Sequence, residues 1–329
     1  MDTAAFRADL ELIPETLDAL ADALDSGLPG LDALPTLGAA RVLVLGMGSS
    51  RYAADVVARR YRAVGANVVV ELASAELLPP PAPDLAVVAV SATGGSAEVL
   101  RAVERYRGTG RLIAVTNRPD SALARLADVV VPLLAGVEAS GVACRTFRAT
   151  FPVVDAVLGM TTGATPEGRF DATKLRRAAH ANAQLLERAA GWLEPMTSLL
   201  AGPAGTWILA PVERLSSAQQ SALMLREVPR RSAFASETGD WSHVDVYLTK
   251  TLDYRALVCA GSPWDAQALE WMRSRGSRYA SLGMELEGSE LAIRYDHDDD
   301  EQVALLSEML VGELVADRLL HASPGLRET

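Results

Sequence analysis

The sequence predicts an α/β chain made of two tandem parallel-sheet units, and three observations predict it. Short, near-continuous apolar runs alternate with stretches of helical spacing, the pattern of parallel strands covered by helices on both faces. In the first half, two such runs end in turns crowded with Gly and Ser before a helix starts. The second half starts the same order of elements again with poorer turns, which implies a duplicated unit. At 329 residues and 49% hydrophobic, the chain is long and apolar enough for two buried cores.

Residues 4–26 carry Leu10, Leu12, Ile13, Leu17, Leu20 and Leu24 at three- and four-residue steps and read as an amphipathic helix, or two, interrupted near Pro14. Residues 27–38 are rich in Gly and Pro and read as a linker. Arg41-Val42-Leu43-Val44-Leu45 is a buried strand running into Gly46-Met47-Gly48-Ser49-Ser50, with a helix over 52–63. Gly46 and Gly48 partly mimic a dinucleotide fingerprint, but Arg51 stands where its third Gly belongs, so a second hydroxyl-rich ligand turn is the better reading. Strands follow at 68–71, 85–90, 111–116 and 128–133. Ser91-Ala92-Thr93-Gly94-Gly95-Ser96 leaves the third of these five strands and opens a helix. Its hydroxyls, its glycines and the unpaired N–H groups of a helix start suit a phosphate. The same six residues also suit an ordinary turn with Ser96 as the N-cap. Both turns fall at carboxyl ends of strands, where ligands bind in such sheets.

A long apolar helix runs to about Met160, and residues 173–192 form a polar helix between the halves. In the second half, strands are expected at 206–210, 244–248, 256–260 and 278–282, with helices over 216–228, 266–273 and 301–321. Pro211-Val212-Glu213 takes the place of the Gly48 turn.

Composition narrows the function. A net charge of -11 disfavours nucleic acid but leaves room for a small anion held locally. No run of about 18 apolar residues occurs, so no membrane span is expected. The N-terminus lacks the order of a signal peptide, and two cysteines make no disulfide framework, so a cytoplasmic setting is expected. The four His are scattered, which argues against a metal site, and no cofactor is implied.

These residues, in this order, resemble the SIS (sugar isomerase) family. More narrowly they resemble the double-SIS isomerase half of glucosamine-6-phosphate synthase and the stand-alone phosphosugar isomerases and deaminases. The resemblance implies two flavodoxin-like SIS domains, at 37–165 and 166–329, after an N-terminal segment over 1–36. Gly48, Ser49 and Ser50 match the first sugar-contacting turn. Ser91, Thr93, Gly94 and Ser96 match the phosphate loop. Residues 138–147, with Val142 and Ala143, match the segment that closes over the sugar. Glu227 matches the base that moves a proton between C1 and C2, and His243 the group that opens the ring. The resemblance thus implies a hexose-6-phosphate-type substrate, an isomerase or aminosugar-phosphate deaminase, and a homodimer in which His243 serves the neighbouring subunit. A non-catalytic phosphosugar sensor is the alternative.

Without the resemblance, Glu227 reads as a solvated helix end and His243 as a surface residue beside Trp241. Several residues depart from the family pattern. The tail carries Arg327 and no Lys, so the imine-forming Lys of the synthases has no counterpart. Ser242 and Met224 replace two basic residues, and Lys174 and Lys250 fall on no motif. No N-terminal nucleophilic Cys is present, so glutamine hydrolysis is not expected.

Overall fold

A computed structural model describes residues 3–37 and 39–322, with the side chains of 35–37 left aside. The tail with Arg327, and Gly38 of the expected linker, lie outside the described residues. The chain divides into two compact units. Residues 15–138 and 143–176 form the first; the second takes in 139–142 and 177–322 together with the first helix, Thr3–Glu11.

The first unit holds a fully parallel sheet of β1 (Arg41–Gly46), β2 (Val68–Leu72), β3 (Leu85–Val90), β4 (Leu112–Thr116) and β5 (Val129–Pro132), in the order β2-β1-β3-β4-β5. Burial explains the apolar runs. All six residues of β3 and all five of β4 are buried, because helices cover both faces. The edge strand β2 buries only Val68. The helix Arg145–Thr162 is buried at nearly every position and carries Pro152 inside it; Gly163, left-handed at φ 70°, ends it. It packs against the helix Gly48–Ala63, and a buried polar knot fastens the pair. The Tyr61 hydroxyl reaches Asp155 O at 2.6 Å and Asp155 Oδ1 at 2.9 Å, and Asp155 Oδ2 accepts from Phe170 N–H at 3.1 Å. Burial pushes the Tyr61 hydroxyl far above its ordinary pKa, so it stays a donor. The expected linker is partly a 3-10 helix, Leu31–Leu37, with Leu34 buried.

The second unit repeats this topology. β6 (Thr206–Ala210), β7 (Ala233–Glu237), β8 (Arg255–Cys259), β9 (Arg278–Leu282) and β10 (Leu291–Ile293) lie in the order β10-β9-β8-β6-β7, all parallel. Read from the other edge, this is the first unit's order strand for strand. Trp207 stacks on Phe234 and Tyr254, and Trp241 donates its indole N–H to Tyr254 Oη at 2.6 Å. The first helix joins this unit through the helix Met309–Ala322, with Arg7 3.8 Å from Asp317.

Three expectations need correcting. Residues 244–248 are not a strand. They lie in Val244 and the 3-10 helix Asp245–Lys250, which buries Val246 and Thr249 three residues apart. The strands β7 and β10 were not expected. The polar helix over 173–192 is two helices, Ala172–Glu187 and Ala189–Leu200, and the closing helix is also two, Glu301–Ser307 and Met309–Ala322. No described helix is long and apolar enough to cross a membrane.

Candidate functional site

In the first sheet the strand order reverses between β1 and β3, and ligands bind beyond the carboxyl ends of the strands at such a reversal. The register is level: Gly46 pairs with Val90, so both loops leave neighbouring strands side by side, about 4.8 Å apart. The two Gly/Ser turns expected from the sequence are these two loops.

After β1 the chain turns at Gly48 (φ 47°) straight into a 16-residue helix, Gly48–Ala63. Its N-cap position, Met47, makes no side-chain cap. Gly48, Ser49 and Ser50 therefore form the first turn of a long helix, at the positive end of its dipole. A Cβ at Gly46 would lie 3.1 Å from Arg51 N, which ties this glycine to the tight strand-to-helix turn.

The loop after β3 is pinned by its neighbours. Ser91 N–H donates to Val115 O, Gly94 N–H to Ser91 O, Asn117 N–H to Ala92 O and Leu123 N–H to Gly94 O, each at 3.0 Å. The Ser91 and Ser96 hydroxyls meet at 3.0 Å. Ser96 occupies the N-cap position of the helix Ala97–Val103, but its side chain does not cap it. The ordinary-cap reading of Ser96 is thus not what forms: its hydroxyl turns to Ser91 instead. Thr93 is exposed, and its Oγ1 accepts only weakly, from Gly95 N–H at 3.3 Å.

Sequence reasoning missed the residues that hold this loop. Thr116 Oγ1 donates to Ala92 O at 3.3 Å, and Ser121 packs under Gly94. The Asn117 side chain donates to Gly136 O at 2.6 Å and accepts from Ala135 N–H at 3.0 Å. The one available signal was their place, just past the end of β4 beside the reversal.

The segment 138–147 is held by two carboxylates. Glu138 Oε1 accepts from the backbone N–H groups of Cys144, Arg145 and Thr146 at 2.7, 2.6 and 3.0 Å, and Oε2 accepts from Thr146 Oγ1 at 2.7 Å. It thereby caps the helix Arg145–Thr162. In the second unit, buried Asp9 accepts from Ser140 N–H at 2.8 Å and Ser140 Oγ at 2.7 Å. Val142 is buried and Ala143 half-buried; they belong to the second and first units respectively. Cys144 is buried.

Glu227 is exposed at the last position of the helix Leu215–Glu227, which leads from the carboxyl end of β6 back to the amino end of parallel β7. His243 is exposed just past the short helix Thr238–Trp241, at the carboxyl end of β7. Within one chain the two therefore sit at opposite ends of β7, about 16 Å of strand apart. Glu237 caps its own helix by accepting from Asp240 N–H at 2.8 Å.

The second sheet has its own reversal, between β6 and β8, and its chemistry is inverted. Its loop N–H groups are already taken: Asp265 Oδ2 accepts from Gly261 at 2.7 Å and Ser262 at 3.0 Å. Arg214, buried in the turn after β6, is bonded to Glu308 and to Ala260 O.

Residues 37–160 match the SIS domain family, and solved SIS-type structures superpose on almost the whole chain. Residues 37–160 are an SIS domain. Among curated relatives it is 31% identical, over 65% of its length, to a glutamine–fructose-6-phosphate aminotransferase (isomerizing) from Aeropyrum pernix, and the match takes in 36% of that protein. The chain spans about two fifths of the length of the curated aminotransferases it matches. The C-terminal domain of glucosamine-fructose-6-phosphate aminotransferase from Francisella tularensis superposes with a TM-score of 0.78 at 16% identity, covering 96% of each chain. Tagatose-6-phosphate ketose/aldose isomerase from Escherichia coli superposes at 0.73 and 16% identity, covering 98% of this chain and 96% of that one. The two sheets of this protein are thus two tandem SIS-type units, and among the described residues the hydroxyl-rich loops at a strand reversal are those of the first.

Proposed function

We propose that this SIS protein isomerises or deaminates a hexose-6-phosphate-type sugar by proton transfer, with no bound cofactor. One observation carries the reading: the level exit of two hydroxyl-rich loops at the reversal of the first sheet. Ser91, Thr93 and Ser96 hold the phosphate, with Gly94 letting the backbone approach it. Gly48, Ser49 and Ser50 hold the sugar, and Val142 and Ala143 line it. The curated and structural relatives named above act on sugar phosphates of this size.

In the proposed reaction, His243 moves a proton between O1 and O5 to open the ring. The Glu227 carboxylate takes the proton from the carbon beside the carbonyl and returns it to the neighbouring carbon, through an enediolate. On a 2-amino sugar phosphate the same transfer yields a 2-imine; water adds to it and ammonia leaves. Neither route needs a Lys imine, in keeping with a chain whose two lysines, Lys174 and Lys250, fall on no site element.

Glu227 and His243 sit at opposite ends of β7, which supports delivery of His243 to a neighbouring subunit. The surface beside His243 supports it too: Val244, Tyr247 and Leu248 are exposed apolar side chains on consecutive turns. Light scattering at micromolar concentration is expected to give twice the mass of the 329-residue chain. Mixing His243→Ala with Glu227→Gln protein is expected to restore part of the activity that each lacks alone. A fully active monomer contradicts the shared site.

The test of the loop is a thermal-shift comparison. Thr93→Ala with Ser96→Ala is expected to weaken a hexose phosphate by about 100-fold or more, the loss of two hydrogen bonds to a charged group, and to leave the unphosphorylated hexose unchanged. Equal weakening of both would remove the phosphate from this loop.

A further inference from the structure

We propose that Asp9 is a positioning residue for the sugar: through Ser140 it fixes residues 139–142, and with them Val142. The proposal rests on the reading above in which Val142 lines the sugar, and it adds what holds Val142 in place.

On the helix Thr3–Glu11, Phe6, Asp9 and Leu10 stand three and four residues apart, the spacing of one face, and all three are buried. A carboxylate on an apolar face costs stability unless donors meet it. Three donors come from the segment after β5. Asp9 Oδ1 accepts from Ala139 N–H at 3.2 Å, and Oδ2 accepts from Ser140 N–H at 2.8 Å and from Ser140 Oγ at 2.7 Å. Hydrogen bonds to an ionised carboxylate are about twice as strong as neutral ones.

The contact continues past Asp9. Ser140 gives its one hydroxyl proton to Asp9, which leaves the same oxygen to accept, and it takes Val142 N–H at 3.2 Å. Asp9, Ser140 and Val142 thus form one chain of hydrogen bonds, all of it in the second unit. Between Ser140 and Val142 stands Gly141, exposed and left-handed at φ 77°, where an added Cβ would meet nothing within 4 Å. A glycine in open space holds no turn by packing, so the hydrogen bonds on either side of it must do so. The helix that carries Asp9 is itself anchored, packed on the helix Met309–Ala322. Removing the Ser140 hydroxyl breaks the chain in its middle and leaves Asp9 its two backbone donors, so the segment loosens locally.

Asp9 is buried, so the test is placed on half-buried Ser140. Ser140→Ala removes the hydroxyl and Ser140→Thr keeps it. Hydrogen exchange of the full chain without ligand, read by mass spectrometry, is expected to be about tenfold or more faster over 139–142 in Ser140→Ala and unchanged over the helix Arg145–Thr162. Calorimetric titration follows with fructose 6-phosphate, glucose 6-phosphate, glucosamine 6-phosphate and inorganic phosphate. A sugar phosphate that binds the native chain is expected to bind Ser140→Ala about tenfold more weakly, the scale of one hydrogen bond, with the affinity for inorganic phosphate unchanged. Ser140→Thr is expected to match the native protein in both measurements. Native exchange over 139–142 in Ser140→Ala, or native affinity for the sugar phosphate, overturns the proposal alone. So does equal weakening of sugar phosphate and inorganic phosphate, or a loss that Thr does not rescue. A native chain that binds none of the three sugar phosphates overturns the reading of the site, and the proposal with it.

Discussion

Glu227→Gln is expected to bind a hexose phosphate as the native protein does and to slow solvent deuterium exchange at the carbon beside the carbonyl by about 100-fold or more, the usual loss for a positioned base. Gln keeps the size of the side chain and its hydrogen-bonding reach but cannot accept the carbon-bound proton. Glu227 is exposed at a helix end, where an isosteric change is expected to leave the fold intact. Exchange is followed by NMR and binding by calorimetry on the same samples. Native exchange rates in Glu227→Gln would show that another group carries the proton.

Gly94→Ala is the second large effect, and it arises from geometry. Gly94 sits at φ 61°, where an L residue costs about 1–2 kcal/mol. A Cβ there would lie 2.0 Å from Ser121 Oγ, 2.4 Å from Ser121 Cβ and 3.0 Å from Thr116 Oγ1. Ser121 caps its own helix by accepting from Ala124 N–H, so it cannot move aside without losing that bond. The loop must shift instead, and the Ser91–Ser96 contact goes with it. Hexose phosphate binding is therefore expected to fall by about 100-fold or more, with a lower unfolding midpoint in urea. Double replacement by Gly94→Ala and Ser121→Gly is expected to recover part of the binding, because the clash is relieved. Unchanged phosphate affinity in Gly94→Ala would show that this loop does not carry the ligand.

The parts of this molecule that the sequence shows are those built from local pattern. β3 and β9 are read to the residue: β3 is an all-buried apolar run that starts after Asp84, and β9 runs from the charge of Arg278 to the residue before Gly283. The two Gly/Ser loops are legible from local pattern too: Gly and Ser cluster where an apolar run ends and a helix begins. β7 is not, since Ala233-Phe234-Ala235-Ser236-Glu237 is an edge strand that buries only Ala233 and pairs with β6 alone. Residues 244–248 alternate like a strand, yet the same residues place Val246 and Thr249 one 3-10 turn apart, and packing chose the second pattern. Thr116, Asn117 and Ser121 reach the loop over 91–96 from the end of β4 and the turn beyond it, a non-local contact that no local spacing encodes. The inverted chemistry of the second edge was hidden likewise. Pro211-Val212-Glu213 looked merely poor in Gly, while the charges that fill that edge, Arg214, Asp265 and Glu308, are spread over 95 positions of the chain.

A protein that moves a carbon-bound proton on a phosphorylated sugar must admit deuterium from solvent at that carbon. Incubating the native protein with fructose 6-phosphate, glucose 6-phosphate and glucosamine 6-phosphate in deuterium oxide, and following the C1 and C2 protons by NMR, tests it most directly. Deuterium wash-in is expected on at least one of them, with ammonia released if the aminosugar is the substrate and none if the exchange is isomerisation alone. Tight binding of all three with neither exchange nor ammonia would contradict it and leave a phosphosugar sensor.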